Sequence, residues 1–204
     1  MSMGKTDLSL VAHLMRRAGF GATRSELEEL GQKPYEDIVE ELLFPERCPG
    51  IERDLLDRYL AEPHAAMPVQ IGIWLYRMIN TRRPLEEKVA LFWHGLFATG
   101  YTKLNQPKQI LKQIDMFRRV GLSDLRNILL ELSKDPAMID WLDNNENHKN
   151  AVNENWGREL MELFSLGVGN YTEKDVFECA RAFTGWTIKP RIPGFPWGAH
   201  PWGF

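Results

Sequence analysis

Four oxygen-bearing side chains between residues 143 and 154 have the types and the spacing of a cation-binding loop. With Asp143 at position 1, Asn145 falls at position 3, Asn147 at position 5 and Glu154 at position 12, the ligand order of an EF-hand. A hard cation binds carboxylate and amide oxygens. The sequence therefore predicts a site for Ca²⁺ or another divalent cation in this loop.

The same loop has a second interpretation, as a structural turn that starts a helix. His148 stands where an EF-hand has the glycine of its sharp turn, and Asn150 stands where it has an aliphatic residue. Asn153 is a favoured N-cap residue, Glu154 suits the positive end of a helix dipole, and asparagines in loops bond to backbone amides. The sequence leaves both interpretations open.

A histidine in the segment "RRPLEEKVALFWHGLFATG" is the second candidate for chemistry. His94 lies opposite one apolar helical stripe and is itself flanked by apolar residues, so we expect a central helix that is buried nearly all round. The stripe consists of Leu85, Val89, Phe92, Trp93 and Leu96. A histidine placed there either bonds to a carbonyl or carboxylate in the core, or acts as a ligand or general base.

The helix that follows the loop, predicted over 154–166, carries a third set of candidates. Its apolar stripe is Trp156, Leu160, Leu163 and Phe164. Glu154, Arg158 and Glu162 recur at a spacing of four residues, which is typical of ion pairing on a solvated face. Glu159 and Glu162 form an ExxE pair that could also hold a metal, although no histidine stands at a matching spacing.

These candidates support two functions. The first is a binding or accessory module in which the loop at 143–154, with a cation or as a rigid turn, orders a recognition surface. The alternative is a metal-assisted or acid/base hydrolase that uses His94 beside the helix of Glu154, with an anionic group bound by arginines. Its catalytic residues would be His94, Glu159 and Glu162, and its binding residues Arg16, Arg17 and Arg158.

The elements that must position these residues are helical almost throughout. "TRSE" at 23–26 has the pattern of a capping box and "TEKD" at 172–175 resembles it, while Asp135–Pro136 has the pattern of a helix start. Gly31, Gly121, Gly167 and Gly185 follow periodic segments, where a left-handed residue is favoured. The predicted helices span 7–18, 24–31, 34–43, 52–61, 68–80, 84–98, 107–120, 124–133, 136–142, 154–166 and 173–184.

Composition predicts an ordinary globular protein and excludes several classes. The chain has 204 residues, 44% of them hydrophobic, with a net charge of −3, which argues against a nucleic-acid-binding protein. Two distant cysteines give neither a metal motif nor a disulfide framework. No apolar run has the length of a membrane span or of a signal peptide, so the sequence as written predicts a cytoplasmic protein.

The C-terminal end differs from the rest of the chain. Residues 188–204 are rich in proline, glycine and tryptophan, which suits neither a helix nor a central strand. We expect a single all-α, bundle-like domain over residues 1–187, followed by an irregular tail that leads towards a missing C-terminal part.

Several long segments of the chain resemble the DUF1800 family of bacterial proteins of unknown function. They are "HLMRRAGFGATRSEL", "RRPLEEKVALFWHGLFATG", the stretch from "DPAMIDWLDNNENHKN" to "CARAFTGW", and the closing "HPWGF". The resemblance implies no activity. It implies a domain that runs beyond this sequence, frequent export of family members, and a partner of the DUF1501 family, which is itself similar to sulfatases and phosphatases.

Overall fold

The described residues of this chain are helical, with short connections between the helices. The structure is a computed structural model that describes residues 6–51, 67–104 and 107–188. Within those ranges there is no β-strand, and the backbone pairing outside helices is an isolated antiparallel bridge between His148 and Ala151. The predicted all-α class is therefore confirmed.

Backbone contacts divide the chain into two compact units. The first unit consists of residues 1–93 and 117–122, and the second of residues 94–116 and 123–204. Because this division describes contacts alone, the predicted single domain over 1–187 stays a prediction. The predicted helix at 52–61 and nearly all of the predicted tail at 188–204 lie outside the described residues.

The first unit contains the helices of the N-terminal half. They are α1 Leu8–Ala18, α2 Arg24–Leu30, α3 Tyr35–Leu43, α4 Met67–Asn80 and α5 Pro84–Leu96, whose last residues belong to the second unit, with a 3₁₀ turn at Pro45–Arg47. Val11, Ile38 and Leu42 form a buried apolar cluster. These three residues come from α1 and α3, so the amphipathic faces of those helices supply the core that their sequences predict.

The second unit contains the helices that carry most of the candidate residues. They are the short α6 Tyr101–Leu104, then α7 Pro107–Val120, α8 Leu125–Ser133, α9 Pro136–Trp141, α10 Asn155–Glu159 and α11 Glu173–Ala182. A 3₁₀ turn at Asn144–Glu146 follows α9, and a π-helix at Leu160–Ser165 continues α10. The prediction had one regular helix over 154–166 and no helix at 101–104.

Capping residues explain why many of these helices begin where the sequence predicts. Thr23 and Thr172 both form complete capping boxes, with Glu26 and Asp175 as the acids that bond back to them. Asp135 caps α9 by accepting from the backbone N–H of Met138. Each of these caps satisfies N–H groups that the first helical turn leaves without a partner.

The glycine predictions are half right. Gly167 and Gly185 have φ of +79° and +90°, as predicted for residues that end a helix. Gly31 has a right-handed φ of −63°, and Gly121 is not among the residues with positive φ, so the prediction is wrong for both. At Gly121 the reason for glycine is space, because a Cβ would lie 2.4 Å from the Phe117 carbonyl oxygen.

The prediction that α5 is buried on both faces is wrong. Phe92 and Leu96 are 60% and 49% exposed, whereas Ala90 and Phe97, the residue after α5, are fully buried. The buried face includes Glu87, whose carboxylate accepts hydrogen bonds from Arg77, Arg118 and the indole of Trp74. A paired carboxylate can occupy a core position that a hydrophobicity pattern assigns to solvent.

Candidate functional site

The asparagine-rich loop after α9 is held by hydrogen bonds from two buried amide side chains. Asn147 Nδ2 donates to the carbonyl oxygen of Ala180 at 2.8 Å and to Asn144 Oδ1 at 3.1 Å, while its Oδ1 accepts from Asn153 N at 3.0 Å. Asp143, which precedes the 3₁₀ turn, has a left-handed φ of 55°. Asparagine side chains here replace the backbone pairing that a loop lacks.

The same loop fixes the chain that follows α11. Asn144 Nδ2 donates to the carbonyl oxygens of Phe183 and Trp186, at 3.3 Å and 3.4 Å. The backbone N–H of Gly185 donates to the carbonyl oxygen of Asn147. Residues 183–186 are therefore positioned by the loop, although residues 144 and 183 lie far apart in sequence.

Three of the four predicted cation ligands have protein partners for their oxygens in this structure. Asp143 pairs with Lys103 at 2.8 Å, Glu154 pairs with Arg158 at 3.0 Å, and Asn147 is bonded as described above. Asn145 Oδ1 is buried without a hydrogen-bond partner. The described residues contain no group of three or more His, Cys, Asp or Glu side chains that could hold a metal.

The N-cap of α10 is Glu154, without a side-chain cap bond, so the prediction of Asn153 as the N-cap is wrong, but Asn153 does bond to a backbone amide at this helix start. Asn153 Oδ1 accepts from the backbone N–H of Asn155 at 3.0 Å, at the start of α10. The contacts thus favour a structural turn, and the cation site formed by Asp143, Asn145, Asn147 and Glu154 stays a prediction.

A change of helix type alters which residues of the 154–166 segment share a face. In the π-helix Leu160–Ser165 the backbone N–H of Leu166 donates to Met161 O, five residues back, and Ser165 Oγ donates to Leu160 O. Residues five apart therefore align, and Leu160 and Ser165 line the same groove. Leu163, predicted to be in the core stripe, is 64% exposed.

That groove is a largely apolar concavity of about 410 Å³ in the second unit. One wall is a face of α8, from Leu125 to Ser133. The opposite wall comes from α10, the π-helix and the residue after α11. The described residues that line it are Leu125, Arg126, Leu129, Leu130, Ser133, Trp156, Leu160, Ser165 and Phe183. A volume of this size falls within the range of small-molecule sites.

The polar groups of the groove are few. Trp156 is only 3% exposed, and its indole Nε1 is buried without a hydrogen-bond acceptor. Arg126 is exposed and takes part in no hydrogen bond or ion pair among the described residues. The hydroxyls of Ser133 and Ser165 donate to carbonyl oxygens of their own helices. The groove thus offers the positive charge of Arg126.

A buried polar network that includes His94 lies elsewhere in the second unit. His94 donates a hydrogen bond to the Gln113 side chain, Gln113 Oε1 accepts from Thr99 Oγ1 at 2.9 Å, and Gln113 Nε2 donates to Asp135 Oδ2 at 2.8 Å. Burial lowers the pKa of His94, and the bond to Gln113 opposes this shift. Burial raises the pKa of Asp135 to about 7.

Of the two glutamates predicted to act with His94, Glu162 has a hydrogen-bond partner of its own. Glu162 Oε2 accepts from the hydroxyl of Tyr171 at 2.9 Å. Burial raises the pKa of Glu159, with a further contribution from the charge of Glu162. Arg158 joins Glu154 to Glu173 in an exposed ion-pair network. The predicted catalytic roles of His94, Glu159 and Glu162 stay predictions.

The predicted anion-binding arginines belong to different units. Arg16 and Arg17 lie in the last turn of α1, in the first unit, where both are exposed. Neither takes part in an ion pair among the described residues. Arg158 lies in the second unit and is paired with two glutamates. Their predicted binding role is untested.

A comparison with models of known protein families identifies the family of this chain. A family model described as "Protein of unknown function (DUF1800)" matches residues 13–200. The chain belongs to the DUF1800 family. No curated protein and no solved structure matches this DUF1800 chain. Among its described residues, no helix has both the length and the apolar character needed to cross a membrane.

The sequence did not reveal the residues around two sites of this DUF1800 chain, the network of His94 and the groove beside α8. Asp135 was recognised as a cap but not as the partner of Gln113, because a lone glutamine in a helix carries no motif. Arg126 stands inside "SDLRNILLELS", where leucines at helical spacing predict a core face. Only the exposure of Leu125 and Leu130, at 46% and 43%, reveals that this face is partly open.

Proposed function

We propose that this DUF1800 chain is a binding module whose recognition surface is the apolar groove between α8 and the α10 segment. The observation that carries the proposal is an open, largely apolar concavity of about 410 Å³ whose described lining includes one charged side chain, Arg126.

The asparagine-rich loop has a defined part in this function. Phe183 lines the groove, and its ring packs edge-to-face on Trp156 with centroids 5.6 Å apart. The carbonyl of Phe183 accepts from Asn144, whose amide is tied to Asn147. The loop therefore acts as a rigid turn that orders the recognition surface, which is one form of the function expected from the sequence.

Titration with N-phenyl-1-naphthylamine, a neutral apolar fluorophore, tests the proposal. Leu130 lines the groove and is 43% exposed, so Leu130→Trp adds bulk to the groove at little cost in stability. Leu163 is 64% exposed and outside the groove, which makes Leu163→Trp the matched control. We expect saturable binding near one equivalent, weakened about tenfold or more by Leu130→Trp and unchanged by Leu163→Trp. Equal affinity in both variants would refute the proposal.

The acid/base hydrolase is a second candidate function, favoured by the network around His94. The hydrogen bond to Gln113 orients the imidazole of His94 and burial favours its neutral form, which is the arrangement of an oriented general base. Asp135, bonded to Gln113, fixes that amide. Among the described contacts, this network connects His94 to Asp135 rather than to Glu159 or Glu162.

Hydrolysis of p-nitrophenyl butyrate by the whole chain tests this second function. We expect His94→Ala to abolish any turnover and His13→Ala, an exposed histidine of α1, to leave it unchanged. Turnover that survives His94→Ala would exclude the histidine as the base. The DUF1501 partner and the export expected from the family stay predictions.

A further inference from the structure

We infer that the ligand of the groove is an amphipathic carboxylate, with its hydrocarbon body in the groove and its anionic head on Arg126. The inference rests on the proposed function and adds the chemical class of the ligand. It depends on the charge, the polar lining and the size of the groove.

The charge of the groove is unbalanced. Arg126 is the charged residue among the described lining residues, and no described lining residue is acidic. The other described arginines of the second unit are neutralised on the surface, Arg158 by Glu154 and Glu173, and Arg181 by Glu178. A guanidinium binds carboxylates in a planar, bidentate geometry, so Arg126 selects for an anion over a neutral or cationic ligand.

The remaining polar lining adds few hydrogen-bonding groups. Trp156 Nε1 is buried, so it is not offered to a ligand at the surface of the groove. The hydroxyls of Ser133 and Ser165 already use their protons on Leu130 O and Leu160 O. Arg126 is therefore the charged group that the described lining offers to the head of a ligand, and an ionised carboxylic acid matches it.

The size of the groove and its apolar lining determine the size and the apolar character of the ligand's hydrocarbon part. The groove of about 410 Å³ exceeds by far the ~150 Å³ that holds a benzene ring in a protein core. Its lining is mainly leucine and aromatic side chains, with no array of hydrogen-bonding groups for a sugar or a nucleotide. A medium-chain fatty acid fits both conditions, and decanoate is the probe.

Calorimetric titrations of the whole chain compare decanoate, 1-decanol and decyltrimethylammonium, each below its aggregation concentration. They separate the contribution of the ligand's charge to the affinity from that of its hydrocarbon chain. We expect decanoate to bind about tenfold more tightly than 1-decanol, and the cation to bind most weakly. Arg126→Gln should remove the preference for decanoate and leave the affinity for 1-decanol unchanged. Arg126→Lys should restore part of it, and Arg181→Gln is the matched control for an exposed arginine outside the groove.

The indole N–H signal of Trp156 in an ¹⁵N–¹H spectrum, assigned with Trp156→Phe, reports whether the ligand reaches the groove. We expect decanoate to shift this signal, and Leu130→Trp to reduce the shift. If decanoate and 1-decanol bind equally well and Arg126→Gln changes neither, the carboxylate inference is overturned while the groove remains a binding site. If neither N-phenyl-1-naphthylamine nor decanoate binding responds to Leu130→Trp, the proposed function is overturned as well.

Discussion

The side-chain amide of Gln113 donates a hydrogen bond to Asp135, with 2.8 Å between Nε2 and Oδ2, and both residues are buried. The same Oδ2 accepts from the backbone N–H of Met138 at the start of α9. The carboxylate is therefore a helix cap that lies in the core instead of at the surface. Burial disfavours its ionised form more than these hydrogen bonds favour it, which is why its pKa is raised to about 7.

This raised pKa predicts that stability falls as the pH rises. Between the unfolded value near 3.8 and the folded value of about 7, the folded state holds a proton that the unfolded state has released. The contribution is thus complete below the unfolded pKa and is lost as the pH rises through the folded pKa. In that window we expect Asp135 to contribute a slope of about −1.4 kcal/mol per pH unit to the free energy of unfolding.

Urea unfolding of Asp135→Asn from pH 4.5 to pH 8 measures this slope, because the amide keeps an oxygen for Met138 but has no charge to lose. The difference between the parent chain and the variant should move in favour of the variant as the pH rises. Asp124→Asn is the control, since Asp124 is an exposed cap of the same kind on α8. A difference that does not vary with pH would show that the carboxylate titrates below this window.

The buried carboxylate of Glu87 leads to a prediction for the first unit. Burial by itself would raise the pKa of Glu87, but the hydrogen bonds and charges of Arg118 and Arg77 outweigh it and lower the pKa. Removing one member of a buried ion pair leaves the others without compensation. We expect Glu87→Gln to lower the free energy of unfolding by about 3 kcal/mol.

Chemical denaturation of Glu87→Gln beside Glu28→Gln checks this expectation. Glu28 is also paired with an arginine, Arg24, but its side chain is 54% exposed, so its loss should cost less than about 1 kcal/mol. Equal losses in the two variants would mean that the ion pairs around Glu87 contribute no more than a surface pair.

Asn147 should be far more sensitive to substitution than its neighbours in the loop. Asn147→Asp replaces a donor to Ala180 O and Asn144 Oδ1 by a carboxylate oxygen that faces acceptors. We expect a loss of about 2 kcal/mol or more in the free energy of unfolding. Asn150→Asp is the matched control, because Asn150 is exposed in the same loop, and a similar loss there would point to net charge instead of the network.

Thermal melts with calcium and with EDTA distinguish the cation site from the structural turn. Because Asn147 Oδ1 accepts from Asn153 and the carboxylates of Asp143 and Glu154 are paired, we expect no change of the midpoint on adding calcium. A site held at a hundred times its dissociation constant would instead add about 2.7 kcal/mol. A rise with calcium that Glu154→Gln abolishes would establish the predicted cation site.

The sequence was a good guide to the helices because their ends are specified locally. Thr23, Thr172 and Asp135 each accept a hydrogen bond from an N–H group within three residues, so the capping residue and the helix start that it specifies are close in sequence. Burial was harder to predict, since it depends on partners remote in sequence. Glu87 is polar by type and buried in fact, because Arg118 pairs with it.

The groove could not be predicted for a related reason. The leucines of α8 have the spacing of a core face, and no sequence pattern states whether a neighbouring element covers them completely. The partner of His94 was missed because Gln113 carries no charge and no motif. What the sequence did indicate correctly is that the asparagines of the loop bond to backbone amides, since Asn147 Oδ1 accepts from Asn153 N and Asn153 Oδ1 accepts from Asn155 N.

The π-helix at Leu160–Ser165 makes the shape of the groove depend on the number of residues in its wall as well as on their types. It places Leu160 and Ser165, five residues apart, along the same side of the groove. Deleting one residue from this segment would restore ordinary α-helical phase, and each later side chain would turn by about 100° about the helix axis. Relatives that lack this one-residue insertion would then present a differently shaped cavity, even with every lining residue type retained.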